Sequence, residues 1–431
     1  KAIKNNEKIG IFGDYDVDGA TSTAILGNYF NQIDRKTEIY IPDRKSEGYG
    51  PNQQGFEKLI SNGSKLIFTV DCGTSSFDTI NFSQSKNTDV LVLDHHQSNL
   101  KLPNAFSIVN PNRFDDKSNL NYLCAAGVCF VFLVALNNKL REIGWFKKNN
   151  IDEPNLMNYL DLVSLGTVCD VVPLIGLNRA IVTQGLEVLK NKLNLGLKTL
   201  KNVCGIESNI TTYHLGYVIG PRINAGGRVG KCSHGANLLL SKDSKETFKI
   251  ATELESFNEE RRLIESNMLK KIKNTISINS DDPVIVLSGH NWHEGIIGII
   301  ASRLKEKYNK PTVIISVEKG LGRASARSVS GFDIGTVIIN AVQNKILKKG
   351  GGHKMAGGFT IDENKIEEFK DFLKKKFLKI EKNLNKKNIL LFDAKISPSA
   401  LNESFFSEVN SLSPFGSGNP EPKFVVENLE I

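Results

Sequence analysis

Short apolar runs alternate with amphipathic stretches along the first hundred residues of the chain. The apolar runs predict β-strands at residues 8–12, 38–41, 66–70 and 90–93. The stretches between them predict helices at residues 21–30, 55–61 and 75–85. Strand–helix alternation of this kind predicts an α/β fold with a parallel sheet and helices on both of its faces. In such a sheet the ligand site lies at the carboxyl ends of the strands.

The rest of the chain predicts a helical region, a long helix and a second α/β pattern. Apolar periodicity predicts helices at residues 124–140, 155–165, 179–190 and 244–273. The last of these is long and highly charged, and we interpret it as a connecting helix. The second pattern predicts strands at 283–287, 312–317 and 358–361 with helices at 295–307 and 334–344. Short strand-like pieces at 389–392 and 423–426, around a turn rich in Gly, Pro and Ser, predict the start of a β-rich domain.

Composition narrows the class of protein without identifying it. A chain of 431 residues with 40% hydrophobic residues is long enough for two or three domains. Its formal net charge of +8 is compatible with an acidic polymer as partner. The six cysteines form no CxxC pair, which indicates free thiols in a reducing cytosol. No apolar stretch is long enough to span a bilayer and no secretory signal is visible, so we expect no membrane and a cytoplasmic location.

Three carboxylates follow the first predicted strand at every second position. They are Asp14, Asp16 and Asp18, with Gly19 allowing a tight turn into the next helix. Carboxylates this close repel one another unless a cation lies between them. The alternative is a cluster of helix N-caps, because aspartate is favoured in the first turn of a helix. One aspartate would suit that alternative, whereas three favour a metal site.

Further acids and histidines end later apolar runs. Asp71 ends the third predicted strand, where a cap and a metal ligand are equally compatible with the pattern. Asp94, His95 and His96 end the fourth, and they combine a carboxylate with imidazole nitrogens. Asp170 lies in an otherwise apolar run, where an unpaired carboxylate is costly without a cation or strong donors. Together these groups suit two divalent ions, Mn²⁺ or Mg²⁺, and the hydrolysis of phosphate esters.

Four segments resemble the successive motifs of the DHH phosphoesterases: residues 16–19 (DVDG), 70–73 (VDCG), 94–96 (DHH) and 169–173 (CDVVP). The resemblance implies a catalytic set of Asp16, Asp18, Asp71, His95, His96 and Asp170. All of these except His96 would be metal ligands, with Asp71 bridging the two ions, and His96 would contact the scissile phosphate. Some relatives carry a histidine four residues before the first ligating aspartate. Phe12 stands there in this chain, so Asp14 or water would take the place of that nitrogen.

Later segments are similar to the RecJ-like exonucleases within that superfamily: residues 220–228 (GPRINAGGR), 292–298 (WHEGIIG), 301–304 (ASRL), 325–327 (SAR), 350–358 (GGGHKMAGG) and 414–420 (PFGSGNP). The resemblance implies a 5′-to-3′ exonuclease acting on single-stranded DNA in recombination and repair. Arginine forks suit phosphate, and glycines let backbone amides approach an anion. The simpler interpretation of the glycines at 350–352 is a flexible turn. The expected substrate-binding residues are Arg44, His96, Arg222, Asn224, Arg228, Ser325, Arg327 and His353. Among them, Arg44 and the Ser325/Arg327 pair are expected to hold the 5′ phosphate.

The same resemblance divides the chain into four parts. We expect a catalytic DHH domain at 1–200, a connecting region at 201–275, a DHHA1-type substrate-binding domain at 276–385 and the start of an OB-fold-like domain at 386–431. The implied partners are single-stranded DNA, a single-strand-binding protein and a recombination or repair helicase. We expect a monomer.

Two other functions compete with this interpretation. One is a DHH-family phosphodiesterase acting on oligonucleotides or cyclic dinucleotides, or a pyrophosphatase; the chain length and the later motifs argue against it. The other is a DNA-binding protein with a vestigial site, against which the complete set of acids argues. The segment HNWHE lacks the HExxH spacing of zinc proteases, and no GxxxxGKS loop is present.

Overall fold

The computed structural model describes residues 1–191, 194–275, 282–381 and 390–427. The chain divides into two compact units, one formed by Lys1–Asn258 together with Leu391–Ile431 and the other by Glu259–Leu390.

A five-stranded parallel sheet is the centre of the first unit. Its strands are β1 (Lys8–Phe12), β2 (Thr37–Tyr40), β3 (Ser64–Val70), β4 (Asp89–Leu93) and β5 (Ser107–Val109). Their order in space is β2-β1-β3-β4-β5, and every neighbouring pair is parallel. The chain passes from β1 to β2 on one side and then crosses to β3 on the other. This reversal between β1 and β3 is a topological switch point, and ligands bind in the crevice that such a point leaves at the carboxyl ends of the strands.

Helices cover both faces of this sheet. In chain order the helices of the first unit are α1 (Ala2–Asn5), α2 (Val17–Gln32), α3 (Gln53–Ser61), α4 (Phe77–Ser85), α5 (Ala125–Glu142), α6 (Trp145–Asn149), α7 (Leu160–Cys169), α8 (Gly176–Asn191), α9 (Leu195–Val203), α10 (Gly220–Val229) and α11 (His234–Leu240). A 3₁₀ helix at Leu156–Tyr159 precedes α7, and a π-helix at His214–Ile219 precedes α10. The long helix α12 (Ser244–Thr275) begins in the first unit and ends in the second.

Alternate residues of the strands supply two separate cores. In β3, Phe68 and Val70 belong to the cluster formed with α2, α5 and α7, whereas Ile67 belongs to the cluster on the opposite face. That second cluster contains Phe56 of α3 and Ile80 of α4. Successive side chains of a strand point to opposite faces, so a strand buried on both sides reads as a continuous apolar run. This explains why the apolar runs predicted these strands so well.

The second unit has a mixed sheet. Its strands are β6 (Ile285–His290), β7 (Thr312–Glu318), β8 (Leu321–Arg327), β9 (Lys349–His353) and β10 (Ala356–Asp362). They lie in the order β6-β7-β8-β10-β9, and only β6 and β7 are parallel. The helices are α13 (Glu294–Tyr308), α14 (Ile334–Gln343) and α15 (Ile366–Glu381), with a 3₁₀ turn at Glu363–Lys365. One face of the sheet packs on α14 and α15, and α13 contacts β7 and β8.

The last described segment, residues 390–427, contains α16 (Glu403–Asn410), a 3₁₀ turn (Pro398–Ala400) and the parallel pair β11 (Ala394–Lys395) and β12 (Phe424–Val425). The predicted strand at 389–392 is wrong for residues 390–392, and residue 389 lies outside the described residues. The expected domain boundaries at 275/276 and 385/386 also fall at or beside residues that the structure does not describe, so these boundaries stay predictions.

The predicted elements of both α/β patterns are present, with ends shifted by a few residues. Sequence reasoning missed β5, β8 and β9. The glycines at 350–352 do not form a flexible turn, because they lie within β9 and pair with β10. Glycine is depleted in strands, so the glycine-rich sequence of β9 did not predict a strand. All six cysteines are free, as the absence of CxxC pairs indicated. Within the described ranges, no helix combines the length and the apolar character needed to cross a membrane.

Close packing of α7 on α8 depends on a glycine, which gives a first prediction. A Cβ at Gly185 would lie 1.9 Å from Ser164 Oγ and 2.3 Å from the Leu160 carbonyl oxygen. Gly185→Ala should therefore lower the free energy of unfolding by about 1–3 kcal/mol, despite the better helix propensity of alanine. The matched control is Gln184→Ala at an exposed neighbouring position of the same helix. Thermal and urea denaturation of the two variants measure the difference, and equal stability would show that α7 and α8 can separate at no cost.

Candidate metal centre and phosphate pocket

The turn after β1 carries three carboxylates with different local roles. Asp16 is the N-cap of α2, and its Oδ1 accepts a hydrogen bond of 3.0 Å from Gly19 N. Asp18 lies in the first turn of α2 and is buried; its two oxygens accept hydrogen bonds from Ala125 N and Ala126 N at 2.6 and 2.9 Å. Those amides belong to the first turn of α5. The alternative interpretation as helix caps is therefore correct for one oxygen of Asp16, but it leaves Asp14 unexplained.

Asp14 is 3% exposed, and its Oδ1 has no hydrogen-bond partner in the described part of the chain. The same is true of Asp71 Oδ1, and Asp71 is 2% exposed. A buried carboxylate oxygen without a donor is costly. Both oxygens are thus free to accept a cation, and this supports the metal interpretation more directly than the sequence spacing does.

His95 meets three carboxylates that come from different parts of the chain. Its Nε2 lies 3.3 Å from Asp71 Oδ1, 3.6 Å from Asp170 Oδ2 and 3.7 Å from Asp18 Oδ2. Asp71 follows β3, His95 follows β4, and Asp170 caps the C-terminus of α7. The switch point of the sheet therefore brings together residues that are up to 152 positions apart in the sequence.

The ligand atoms form three groups that overlap at Asp71 and His95. Three groups have ligand atoms that all lie within 4.8 Å of one another: Asp71 with His95 and His96, Asp18 with His95 and Asp170, and Asp14 with Asp16 and Asp71. Asp71 thus occurs both beside the histidines and beside the acids of the β1–α2 turn. This position suits a carboxylate that bridges two ions.

Burial and mutual repulsion govern the protonation of these acids. Burial, followed by the charge of Asp16, raises the pKa of Asp14 and of Asp71 well above the ordinary value. Burial and the charges of Asp18 and Asp16 raise the pKa of Asp170 to about 8. Burial lowers the pKa of His95, which favours the neutral imidazole that binds metals. A divalent cation would reverse the cost of ionising the acids.

Asp94 holds His96 instead of joining the metal groups. Asp94 Oδ1 accepts hydrogen bonds from His95 N, His96 N and His96 Nδ1, at 2.7, 3.1 and 2.7 Å, and Oδ2 accepts one of 3.0 Å from Thr74 N. Burial opposes the charge on His96, but the bond to Asp94 outweighs it and raises the pKa of His96 to about 9. The side chain of His96 remains 38% exposed, so a cationic imidazole is accessible to an anion.

Tyr49 connects His96 to the end of β3. Its hydroxyl donates a hydrogen bond of 3.0 Å to the Asp71 carbonyl oxygen and lies 3.2 Å from His96 Nε2. The flanking Gly48 and Gly50 both have positive φ angles, of 88° and 82°. These glycines allow the loop after β2 to turn sharply and to present Tyr49 to the carboxyl edge of the sheet.

Phe12, at the position where some relatives carry a histidine, points away from the site. It is fully buried in the core cluster that contains Phe56 of α3, and it stacks on Tyr40 with ring centroids 5.4 Å apart. No imidazole at that position is available to an ion. The unpartnered Oδ1 of Asp14, two residues later, is available in its place.

A pocket of about 360 Å³ adjoins the acids and collects three of the expected substrate-binding residues. It is lined by Asp14, Tyr15, Asp16, Arg44, Tyr49, Cys169, Asn224 and Arg228. The Arg44 guanidinium lies over the Tyr15 ring, 5.4 Å from its centroid. Asn224 and Arg228 reach the pocket because α10 packs closely on the β1–α2 turn; a Cβ at Gly227 would lie 3.0 Å from Tyr15 Cδ2. Cations beside carboxylates suit a phosphate bound next to metal ions.

Arg222 requires a correction. It is 7% exposed, and its guanidinium forms two hydrogen bonds with the Glu255 carboxylate and one of 2.8 Å with the Val218 carbonyl oxygen. It is absent from the lining of the pocket. The fork expected to hold phosphate is instead used to join α10 to α12, so the structure argues against a direct substrate contact.

Three expected substrate-binding residues lie in the second unit on one face of its sheet. Arg327 pairs with Ala356, which pairs with His353, and residues in register point to the same face. Ser325, two residues before Arg327, points to that face too, beside Gly358 and Gly351. Arg327 Nη1 donates to Ser325 Oγ at 3.3 Å, and its Nε donates to Ser302 Oγ of α13 at 3.1 Å. Arg327 Nη1 also donates to the Ala326 carbonyl oxygen at 2.9 Å, so two hydroxyl groups and a backbone carbonyl help to orient the guanidinium.

Sequence reasoning gave no role to Tyr49, Tyr15 or Cys169, and only a substitute role to Asp14. The sequence features that could have identified Tyr49 and Asp14 were weak. Tyr49 is an aromatic residue between two glycines, and Asp14 begins the alternating acids. Asp94 was grouped with the metal-binding histidines, although in the structure it orients His96.

Three family models match the sequence in order. The DHH family, N-terminal domain, matches residues 8–167, the DHHA1 domain matches residues 281–379, and the RecJ OB domain matches residues 392–431.

Relatives are similar over the length of the chain. The single-stranded-DNA-specific exonuclease RecJ of Bacillus subtilis is 34% identical, covering 100% of this chain and 53% of the relative. The protein of the same name from Dickeya dadantii is 31% identical, covering 98% and 76%. The crystal structure of RecJ in complex with Mn²⁺ from Thermus thermophilus has a TM-score of 0.83 and 29% identity, covering 99% of this chain and 60% of that chain. Its complex with Mg²⁺ gives a TM-score of 0.76, at 29% identity and covering 98% and 57%. The chain therefore spans about half to three quarters of these relatives.

The raised carboxyl pKa values predict that pH controls metal binding. Without metal the folded state holds more protons on these acids than the unfolded state, so stability should fall as the pH rises from about 4 towards the pKa of about 8 at Asp170. A cation requires the ionised acids and releases their protons, so its stabilising effect should grow over the same range. Thermal melts with and without Mn²⁺ between pH 5 and pH 8 would measure this. Asp170→Asn should make the melting temperature depend less on pH. A Mn²⁺-induced rise in melting temperature of equal size at all pH values would contradict the assignment of these acids as metal ligands.

Proposed function

The chain belongs to the RecJ family of single-stranded-DNA-specific exonucleases, and we propose that it hydrolyses phosphodiester bonds of single-stranded DNA from the 5′ end. One observation carries the proposal. Unpartnered buried carboxylate oxygens, a neutral histidine and a pocket lined by two arginines meet at the switch point of the first sheet. Hydrolysis of a phosphate diester needs these groups together, because the attacked phosphate carries charge that cations must balance.

We infer that two divalent ions, Mn²⁺ or Mg²⁺, bind the ligand groups that overlap at Asp71 and His95. Asp18, His95 and Asp170 would hold one ion, Asp14 and Asp16 would hold the other, and Asp71 would bridge them. Carboxylates with an imidazole suit these metals. When bound, the ions would supply an activated water and would balance charge on the attacked phosphate. The hydrogen bonds from the first turn of α5 to Asp18 and from Gly19 to Asp16 orient two of these ligands before any ion arrives.

The remaining residues of the site would bind the phosphate. His96, held cationic by Asp94, is accessible beside Asp71 and donates to a phosphate oxygen in this proposal. Arg44, Asn224 and Arg228 add donors from the lining of the adjoining pocket. Charge-assisted hydrogen bonds of this type are about twice as strong as neutral ones.

End recognition is assigned to Arg44 and to the Ser325/Arg327 pair. A 5′-terminal phosphate carries more charge than an internal diester, so a bidentate arginine fork distinguishes the two. Support comes from the open glycine surface beside Ser325. A Cβ at Gly351 would have nothing within 4 Å, so an anion can approach the backbone there. His353 lies on the same face and is assigned to the same strand of DNA.

The competing activity on oligonucleotides or cyclic dinucleotides would need only the DHH and DHHA1 domains. The match of residues 392–431 to the RecJ OB domain favours long strands, because OB-folds bind single strands by stacking and charge. We further propose that the protein is a cytoplasmic monomer. A single-strand-binding protein and a helicase of recombination or repair would be its partners. Pull-down with such proteins and a mass measurement in solution test these assignments.

The bridging role of Asp71 gives a sharp prediction. Asp71→Ala should reduce hydrolysis at least about a thousandfold, because it removes several kcal/mol of charge stabilisation from the transition state. The same change removes a buried like charge, so the melting temperature without metal should not fall. Asp89→Ala is the control, since Asp89 is exposed at the opposite end of β4. Initial rates on end-labelled single strands with Mn²⁺ measure the effect. Near-normal activity of Asp71→Ala would rule out the two-metal proposal.

Recognition of the 5′ end gives a further prediction. Arg327→Ala should slow digestion of 5′-phosphorylated strands about tenfold more than digestion of matched 5′-hydroxyl strands, since only the former offer the terminal charge. Arg323→Ala is the matched control, because Arg323 lies on the same face of β8 and pairs with Glu294 at 2.7 Å. Equal slowing of both substrates by Arg327→Ala would make Arg327 a general backbone contact. Digestion from the 3′ end would overturn the polarity but leave the metal site intact.

A further inference from the structure

Two tyrosines stack on each other on the surface of the first unit. The rings of Tyr213 and Tyr217 have centroids 5.3 Å apart and an interplanar angle of 28°, and the residues are 63% and 71% exposed. Tyr213 is the N-cap of the π-helix that contains Tyr217, and such helices are frequent at functional sites. Nothing in the proposed hydrolysis uses this pair.

The pair forms one wall of a groove of about 360 Å³. Its lining is mostly apolar and comes from three segments of the chain: residues 168–174, 212–217 and 415–421. Hydrogen bonds join these segments. Leu174 N donates to the Ser417 carbonyl oxygen at 2.6 Å, and Thr212 Oγ1 donates to the Phe415 carbonyl oxygen at 2.8 Å. The groove is therefore formed before any ligand arrives.

This groove lies next to the phosphate pocket. Cys169 lines both of them, and Asp170 follows directly in the chain. The next residue, Val171, lines the groove, is 69% exposed and has a φ angle of 59°. A left-handed conformation is strained for a β-branched residue, and such strain clusters at functional sites. The turn at Val171 thus places an apolar side chain in the groove immediately after a candidate metal ligand.

We propose that this groove binds the bases of single-stranded DNA next to the cleaved bond, with Tyr213 and Tyr217 as the stacking platform. The inference rests on the proposed exonuclease function, and with digestion from the 5′ end the bases are those on the 3′ side of the bond. Exposed aromatic faces suit bases, since every base has a π-face and stacking tolerates any sequence. Among the described residues that line the groove, the only charged side chain is the carboxylate of Glu421, which disfavours phosphate there and so favours the base side of the strand.

The platform also selects against duplex DNA. Bases in a duplex are already stacked on their neighbours and paired, so their faces are not available to the tyrosines. A single strand offers those faces at little cost. The groove therefore contributes to strand selection as well as to affinity.

The test measures binding to bases separately from hydrolysis. Tyr213→Ala, Tyr217→Ala and the double substitution are made in the Asp71→Ala background, which prevents digestion of the probe. The probes are a fluorescent 5′-phosphorylated oligothymidine and a strand of equal length with abasic sugars. Each alanine substitution should weaken binding of oligothymidine about tenfold, and the corresponding phenylalanine substitutions should retain it. Phe106→Ala is the control and should bind oligothymidine normally. Phe106 is 73% exposed and lies beside the amino end of β5, at the edge of the sheet opposite the acids.

The abasic strand separates stacking from other causes. It should bind more weakly than oligothymidine to the chain with intact tyrosines, and the double alanine substitution should not weaken it further. The inference is overturned if the folded double variant binds oligothymidine normally, or if it loses the same factor on both probes. Equal binding of the two probes by the chain with intact tyrosines would also overturn the inference, and this comparison needs no tyrosine substitution. Digestion by the chain with Asp71 intact is followed in parallel. If the chain with Asp71 intact does not digest the strands, the exonuclease proposal is wrong. The binding measurements test only the proposal that the groove binds bases.

Discussion

Repulsion among buried carboxylates is the constraint on which the rest of the first unit depends. Asp14, Asp18 and Asp71 are each at most 3% exposed, and they lie beside Asp16 and Asp170 at one edge of the sheet. Two unit charges 4 Å apart in such surroundings repel by about 4 kcal/mol. Burial adds to that cost and raises the pKa of most of these groups. A fold that keeps such a cluster must offset its energy elsewhere, and a bound cation removes the cost directly.

The fold limits the repulsion by giving some of these oxygens donors from helix N-termini. Asp18 receives two amides from the first turn of α5, and Asp16 receives one from its own helix. Asp94 receives amides from His95, His96 and Thr74. Burial opposes its charge, but the hydrogen bond and the charge of the His96 imidazole, together with the bond from Thr74, lower its pKa. In the described part of the chain, the buried oxygens of this cluster without a hydrogen-bond partner are Oδ1 of Asp14 and Oδ1 of Asp71. Local backbone geometry therefore separates the acids that hold other residues in place from the acids that are free to accept an ion.

Much of this arrangement could be predicted from the sequence, because strands buried on both faces read as plain apolar runs and their last residues locate the site. The pattern placed Asp16, Asp71 and His95 at this edge, and the structure brings them close together there. The ion pair of Arg222 with Glu255 could not be predicted, because both residues suit an exposed surface equally well and only the packing of α10 on α12 brings them together. Strand β9 was missed for the opposite reason. Its glycines have little strand propensity, and pairing with β10 overrides that preference.

The turn after α7 shows how one local conformation can serve two purposes. Helix α7 ends at Cys169, and Asp170 is its C-cap residue. The Asp170 carboxylate lies 3.6 Å from His95 Nε2. The positive φ angle of the next residue, Val171, then reverses the chain. The segment that leaves this turn is held by the hydrogen bond from Leu174 to Ser417, so the part of the chain matching the RecJ OB domain contacts the loop that carries a candidate metal ligand. Only three residues of backbone separate Leu174, which makes this hydrogen bond, from Asp170. Because residues of the same two segments line the groove beside Tyr213, the proposed binding of bases and the geometry of the acids depend on one set of contacts.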